Sequence, residues 1–282
     1  MGRVENVQVF EDTRKQCKQN TDLSNAIKNS SEKQKLYLEA DEVVAPDKEK
    51  NKKPAKVVVS KKRSYEAASN YVGQETCVLN FASASNPGGG VVNGSSAQEE
   101  SLCRCSTLYF NLNAPDMWAG FYTPHRMDAD PIHNDDCIYT PEVVVMKSDN
   151  DNPVTLSKDK WYNVNVITCA APNLREKPSN AMNQGDGDKA VKVSDKELLK
   201  IHEKRLTRIL DIALLEGNEV VILGAFGCGA FMNNPEVVAR AAKNVISNYL
   251  HAFEVIEFAV YCSPRDDSNY KIFERVMKTL TK

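Results

Sequence analysis

Two rhythms of apolar and polar positions alternate along this chain, and the switches between them divide it into elements. Continuous apolar runs of strand length predict buried strands at Lys56 to Ser60, Thr76 to Ala82, Ile138 to Lys147, Tyr162 to Cys169, Glu219 to Gly224 and Val255 to Tyr261. Helical spacing predicts helices from Val4 to about Lys18, from Ser64 to Tyr71 and from about Asp195 to Glu216. Asn234 as cap and Pro235 in the first turn open another, to about Leu250, and a last one starts near Asp267. Leu102, Cys105, Leu108, Tyr109 and Leu112 keep helical spacing, so a helix starting at Gln98 is read through to Leu112. Residues 19–35 are polar and read mostly as loop. Leu36 to Leu38 reads as a short strand, and Pro46 to Pro54 and Ser148 to Asp159 as solvated loops.

Strands that alternate with helices, each strand apolar throughout, predict a three-layer α/β/α fold with a mixed, largely parallel central sheet. There is no internal repeat, and the connections are too short and regular to mark a domain boundary. One structural unit over residues 1–282 is therefore expected. Within it, residues 1–75 form a helical extension and the first strands, packed on a core of residues 76–282.

Composition narrows the function classes. With 282 residues, of which 41% are hydrophobic, the chain can bury a sizeable core. No run approaches the ~18 apolar residues of a membrane span, and the start lacks a signal peptide's apolar stretch. Asn6 stands where a myristoylation motif wants Ser or Thr. A net charge of −2 argues against direct nucleic-acid binding. Lys61-Lys62-Arg63 only imitates a localisation signal. The eight cysteines have no CxxC pair and the four histidines no ligand spacing. The expectation is free thiols in a reducing, cytoplasmic setting, with no metal and no cofactor.

Two glycine-rich segments carry the candidate chemistry. Asn86-Pro87-Gly88-Gly89-Gly90 follows an apolar strand, and Gln98-Glu99-Glu100 follows seven residues later. Three glycines let a backbone approach a ligand closely. Two carboxylates at the start of a helix either cap it through its dipole or present an acid to whatever the loop holds. Gly224-Ala225-Phe226-Gly227-Cys228-Gly229-Ala230-Phe231 lies between a buried strand and a helix, where backbone N–H groups favour phosphate. It lacks the Lys-Ser or Lys-Thr of a nucleoside-triphosphate loop and the spacing of GxGxxG. Cys228 is either a packed thiol or a nucleophile, and Trp118 to Tyr122 either core or an aromatic platform.

The GGG–seven residues–QEE signature resembles that of poly(ADP-ribose) glycohydrolases, whose catalytic domain is a macrodomain. The microbial-type branch is matched through Leu79 to Gly90 and Gly224 to Gly229, over about residues 1 to 282. The resemblance implies hydrolysis of the ribose–ribose O-glycosidic bond of poly(ADP-ribose), with Glu100 as catalytic acid and base and Glu99 fixing the ribose. It implies substrate contacts from Ser83, Asn86, Gly88, Gly89, Gly90 and Gln98 on one side. Gly227, Cys228, Gly229, Ala230 and Phe231 lie on the other, with Asn269 and Tyr270 near the adenine. The partners so implied are poly(ADP-ribose), poly(ADP-ribosyl)ated proteins and ADP-ribose as product, without membrane. Two other readings are an ADP-ribose-binding reader and a mono-ADP-ribosyl hydrolase; the intact Glu99-Glu100 pair speaks against the reader.

Overall fold

The computed structural model describes residues 1–44, 46–181 and 184–280. Seven strands form one sheet: β1 (Lys35–Tyr37), β2 (Lys56–Ser60), β3 (Thr76–Phe81), β4 (Cys137–Val145), β5 (Tyr162–Cys169), β6 (Val220–Leu223) and β7 (Val255–Ala259). Their spatial order is β1-β4-β5-β3-β6-β7-β2. The pairs from β5 through β3, β6 and β7 to β2 are parallel. β4 runs antiparallel to both β5 and β1, so the sheet is mixed and largely parallel.

The helices are α1 (Arg3–Gln19), α2 (Thr21–Lys33), α3 (Ser64–Ala68), α4 (Gln98–Cys105), α5 (Leu108–Leu112), α6 (Pro115–Met117), α7 (Thr123–Asp128), α8 (Asp195–Leu215), α9 (Pro235–Ile246) and α10 (Ser268–Met277). Successive residues of each central strand point to opposite faces, and both faces are covered. Cys77 and Leu79, Val221 and Leu223, and Ile256 and Phe258 pack with α8, α9 and α10. Val78, Val220 and Ile222, and Val255 pack with Phe10 of α1, Tyr65 of α3 and Leu102 of α4. Burial on both sides is why the strands read as unbroken apolar runs.

Two local expectations are corrected. Residues 19–35 are not loop, because α2 occupies most of them. The Asn20 side chain caps it by accepting from the Asp22 and Leu23 N–H groups at 2.9 and 3.2 Å. Leu23, Ala26 and Ile27 pack on a small satellite core with Cys17 and Met146, and the Ser30 hydroxyl donates to the Pro141 carbonyl at 2.5 Å. A stripe this narrow among polar residues hid the helix. The second correction breaks the helix read from Gln98 to Leu112 at Ser106, whose backbone is extended (φ −146°, ψ −179°). Ser106 bridges to Val145, and its hydroxyl accepts from the Leu108 N–H at 3.2 Å to start α5.

Candidate active site

The carboxyl ends of β3, β5, β6 and β7 open into one cleft of about 920 Å³, with Phe81, Ala171, Ala225 and Tyr261 in its walls. Open parallel sheets collect ligands at this edge. β3 keeps its β6 partner only through Val78. Beyond that point the Gln98 side chain takes over, accepting from the Phe81 N–H at 2.9 Å and donating to the Leu79 carbonyl at 2.8 Å. Gln98 thereby fixes the first turn of α4 against the strand that leads into the glycine loop.

That loop lies directly on the two carboxyl groups. Gly89 has φ +56°, and a Cβ there would sit 2.7 Å from Glu100 Oε1 and 3.1 Å from Glu99 Oε2. Only glycine satisfies both the left-handed backbone and the close approach. The Gly90 N–H donates to Glu100 Oε1 at 2.9 Å. Glu99 takes the Ser83 N–H on Oε2 at 2.7 Å and the Asn80 amide on Oε1 at 3.2 Å. Both carboxyls are buried, at 2% exposure for Glu99 and 7% for Glu100, although both line the cleft. Burial pushes both pKa values up. For Glu99 the neighbouring Glu100 charge adds to the rise, against the opposing Ser83 N–H. For Glu100 the Gly90 N–H and the Arg104 charge oppose it.

The second glycine loop is shaped by a residue that the sequence patterns did not reveal. Asn233, buried between Gly227 and α9, donates to the carbonyls of Pro172 (2.6 Å), Gly227 (3.1 Å) and Phe231 (3.2 Å). Its Oδ1 lies 2.8 Å from His202 Nε2. Burial lowers the His202 pKa to about 4. The ring is therefore neutral, with Nε2–H donating.

Ser83, Gly89, Gly90, Gln98, Glu99, Glu100, Gly227, Gly229, Ala230, Phe231 and Asn269 come together in the cleft lining. Four other expected contacts do not. Asn86 turns to the Arg126 guanidinium and the Gln184 carbonyl. Gly88 packs toward Tyr109 and Cys103. The Cys228 thiol donates to the Phe226 carbonyl at 3.7 Å, and burial drives its pKa up, the opposite of what a nucleophile needs. Tyr270 lies under Lys61 and donates to Glu274 at 2.6 Å. Phe121 and Tyr122 are core residues. The cleft also gains Arg63, Asp149, Arg175 and Asn180, none of which carries a periodic or motif signal, and Tyr261, which ends the strand predicted from Val255 to Tyr261. Tyr261 stacks under the Arg63 guanidinium, 3.9 Å from ring centre, and Arg63 pairs with Asp151 at 2.6 Å. Among the described residues no cluster of His, Cys, Asp and Glu could hold a metal ion.

The sequence model described as "Microbial-type PARG, catalytic domain" matches residues 4–148, just over half the chain and the part that holds the GGG–QEE signature. A poly(ADP-ribose) glycohydrolase from Deinococcus radiodurans, solved with ADP-ribose, is 28% identical at a TM-score of 0.73, covering 90% of this chain and 98% of that one. The Thermomonospora curvata poly(ADP-ribose) glycohydrolase shares the fold, with a TM-score of 0.82 at 24% identity over 97% of this chain and 100% of that one. A second Thermomonospora curvata structure, with the inhibitor ADP-HPD, gives 0.79 at 24% identity over 97% of this chain and 99% of that one. No curated protein sequence matches. On the family model and the signature it spans, the chain belongs to the microbial-type poly(ADP-ribose) glycohydrolase catalytic-domain family.

Proposed function

We propose that this enzyme hydrolyses the ribose–ribose O-glycosidic bond of poly(ADP-ribose), releasing ADP-ribose, with Glu100 as general acid and then general base. The observation that carries the reading is the placement of Glu100. It is a buried carboxyl group on the first turn of α4, tied to the glycine-loop backbone through Gly90 and facing a cleft. A raised pKa keeps such a group protonated closer to neutral pH than an ordinary carboxyl.

Most glycosidases place two carboxyls about 5–9.5 Å apart across the scissile bond. Glu99 and Glu100 are sequence neighbours, and Glu99 is occupied by Ser83 and Asn80. One acid then serves both steps. Glu100 gives its proton to the departing 2′ oxygen as the C1″–O bond breaks, leaving an oxocarbenium-like ribose. The resulting carboxylate takes a proton from the water that attacks C1″, and the acid is regenerated. The substrate's own diphosphate supplies negative charge near the cation, and Glu99 holds the ribose hydroxyls. The macromolecular partners are poly(ADP-ribosyl)ated proteins, met through their polymer.

The test is turnover of purified polymer by wild type and Glu100→Gln, with calorimetric ADP-ribose binding by both. Glu100→Gln should lose ~10²–10⁴-fold of the rate and keep ADP-ribose affinity. Near-full turnover by the variant would remove Glu100 from the mechanism. A wild type that releases ADP-ribose only from a mono-modified protein would replace the polymer as substrate.

A further inference from the structure

Three carboxyl groups and three guanidinium groups line the cleft: Glu99, Glu100 and Asp149 against Arg3, Arg63 and Arg175. A diphosphate entering beside three carboxyl groups needs a cation that is not already committed. Arg63 is committed to Asp151 and to the face of Tyr261. Arg3 is exposed at the rim, with its backbone carbonyl against Gly94. Arg175 differs from both. It is half-buried, its guanidinium lies 5.5 Å from the centre of the Phe231 ring, and it makes no ion pair among the described residues.

The hydrogen bonds of Arg175 explain how it is held. Nε donates to Asn173 Oδ1 at 3.0 Å and Nη2 to the Pro178 carbonyl. The neighbouring Leu174 N–H donates to the Phe231 carbonyl at 2.9 Å. One edge of the planar group is thus fixed to its own loop, and that loop is fixed to the second glycine segment. Nη1 makes no hydrogen bond to a described residue. A partly buried cation hydrogen-bonded only to carbonyl and amide oxygens is undercompensated, and burial pulls its pKa below the ordinary range against the opposing charge of Asp186. A preoriented guanidinium of this kind suits a phosphate oxygen better than a flexible ammonium does.

We propose that Arg175 is a substrate-binding residue that contacts the diphosphate of the ligand beside the Gly227–Ala230 backbone. This rests on the ADP-ribose reading above and adds to it a charge-specific contact. Arg175 then selects ligands carrying an intact diphosphate over those that end at one phosphate.

The experiment measures calorimetric affinity of the full chain for ADP-ribose and for AMP at several salt concentrations. Wild type is compared with Arg175→Met, which keeps an apolar stem beside Phe231, and with Arg175→Lys, which keeps the charge. Melting curves establish that each variant is folded. A charge-assisted contact predicts that Arg175→Met weakens ADP-ribose about 10- to 100-fold, shifts AMP less than threefold and flattens the salt dependence, while Arg175→Lys recovers part of the loss. Equal loss of ADP-ribose and AMP, with the salt dependence unchanged, would make Arg175 a loop anchor only and overturn the proposal. So would an Arg175→Met variant that binds ADP-ribose like wild type. If wild type neither binds ADP-ribose nor cleaves polymer, the parent reading falls and takes this one with it.

Discussion

Glu99 and Glu100 are chemically identical neighbours, and their partners separate their work. Glu99 accepts from the Ser83 N–H and the Asn80 amide, a fixed environment suited to holding a sugar. Glu100 rests against Gly90, the residue whose backbone would meet the substrate. Repulsion from Glu100 adds to the effect of burial on Glu99, whereas burial alone raises the Glu100 pKa, so Glu100 ionises first and Glu99 stays protonated longer. The pH profile tests this. An acid with a raised pKa stays protonated as pH climbs, and kcat/KM declines only when pH passes through that raised value. In Glu99→Gln the burial of Glu100 persists, so its pKa stays raised and the alkaline limb of the profile should stay in place. The amide also sets its NH₂ against an N–H donor, so the rate should fall about 10- to 100-fold. An alkaline limb that moves to lower pH would show that the Glu99 charge also raises the Glu100 pKa.

At the scale of elements, α1 bears on the site through a loop. The Asn6 amide donates to the Gly94 carbonyl at 3.0 Å, and the Thr13 hydroxyl donates to the Arg104 carbonyl of α4 at 2.5 Å. The Ser95 N–H returns to the Gly90 carbonyl at 3.1 Å, and Arg104 Nη1 donates to the Ser95 carbonyl at 2.6 Å. The loop that holds Glu100 is therefore clamped between α1 and α4. Gly94 has φ +79°, and a Cβ there would meet the Arg3 carbonyl oxygen at 2.3 Å. Gly94→Ala should lower stability by about 2–4 kcal/mol and reduce turnover with it. Gly73→Ala is the control: φ is +96° but nothing lies within 4 Å, so it should cost about 1 kcal/mol of backbone strain and spare activity. Equal melting shifts for the two would mean that α1 is free to move away. The elements built on strong periodicity, β3, β6 and α8 among them, were legible because burial on both faces or along one stripe leaves an unambiguous pattern. α2 was not, since its stripe is three apolar residues wide. The break at Ser106 was invisible because Leu108 and Leu112 resume the same spacing on a new axis.

Across the whole molecule, the motif-borne half of the cleft could be read from the chain, and the half built by distant loops could not. Glycines followed by Gln98, Glu99 and Glu100 carry a local reason for their order. Arg175 and Tyr261 reach the cleft, and Asn233 shapes the loop beside it, only because the parallel strands bring their carboxyl ends to one edge, and no spacing encodes that. The same assembly buries two adjacent carboxyl groups without a cation paired to either among the described residues, which opposes stability for the sake of the site. Their folded pKa values lie above the ordinary carboxyl value, so between the two the folded protein holds more protons than the unfolded chain. The contribution of these two groups to stability is then most favourable at and below about pH 4, where both states are protonated, and declines as pH rises toward the raised values. Glu100→Gln removes one ionisable group and relieves Glu99 of its repulsion, while the amide oxygen still accepts from Gly90. Its melting temperature should match wild type near pH 4 and exceed it by at least about 2 °C at pH 8, the gap widening as pH climbs. Thermal melts of both proteins across that range decide the matter: a constant gap would place the effect in packing, and an inverted one would mean that the ionised carboxylate stabilises the fold.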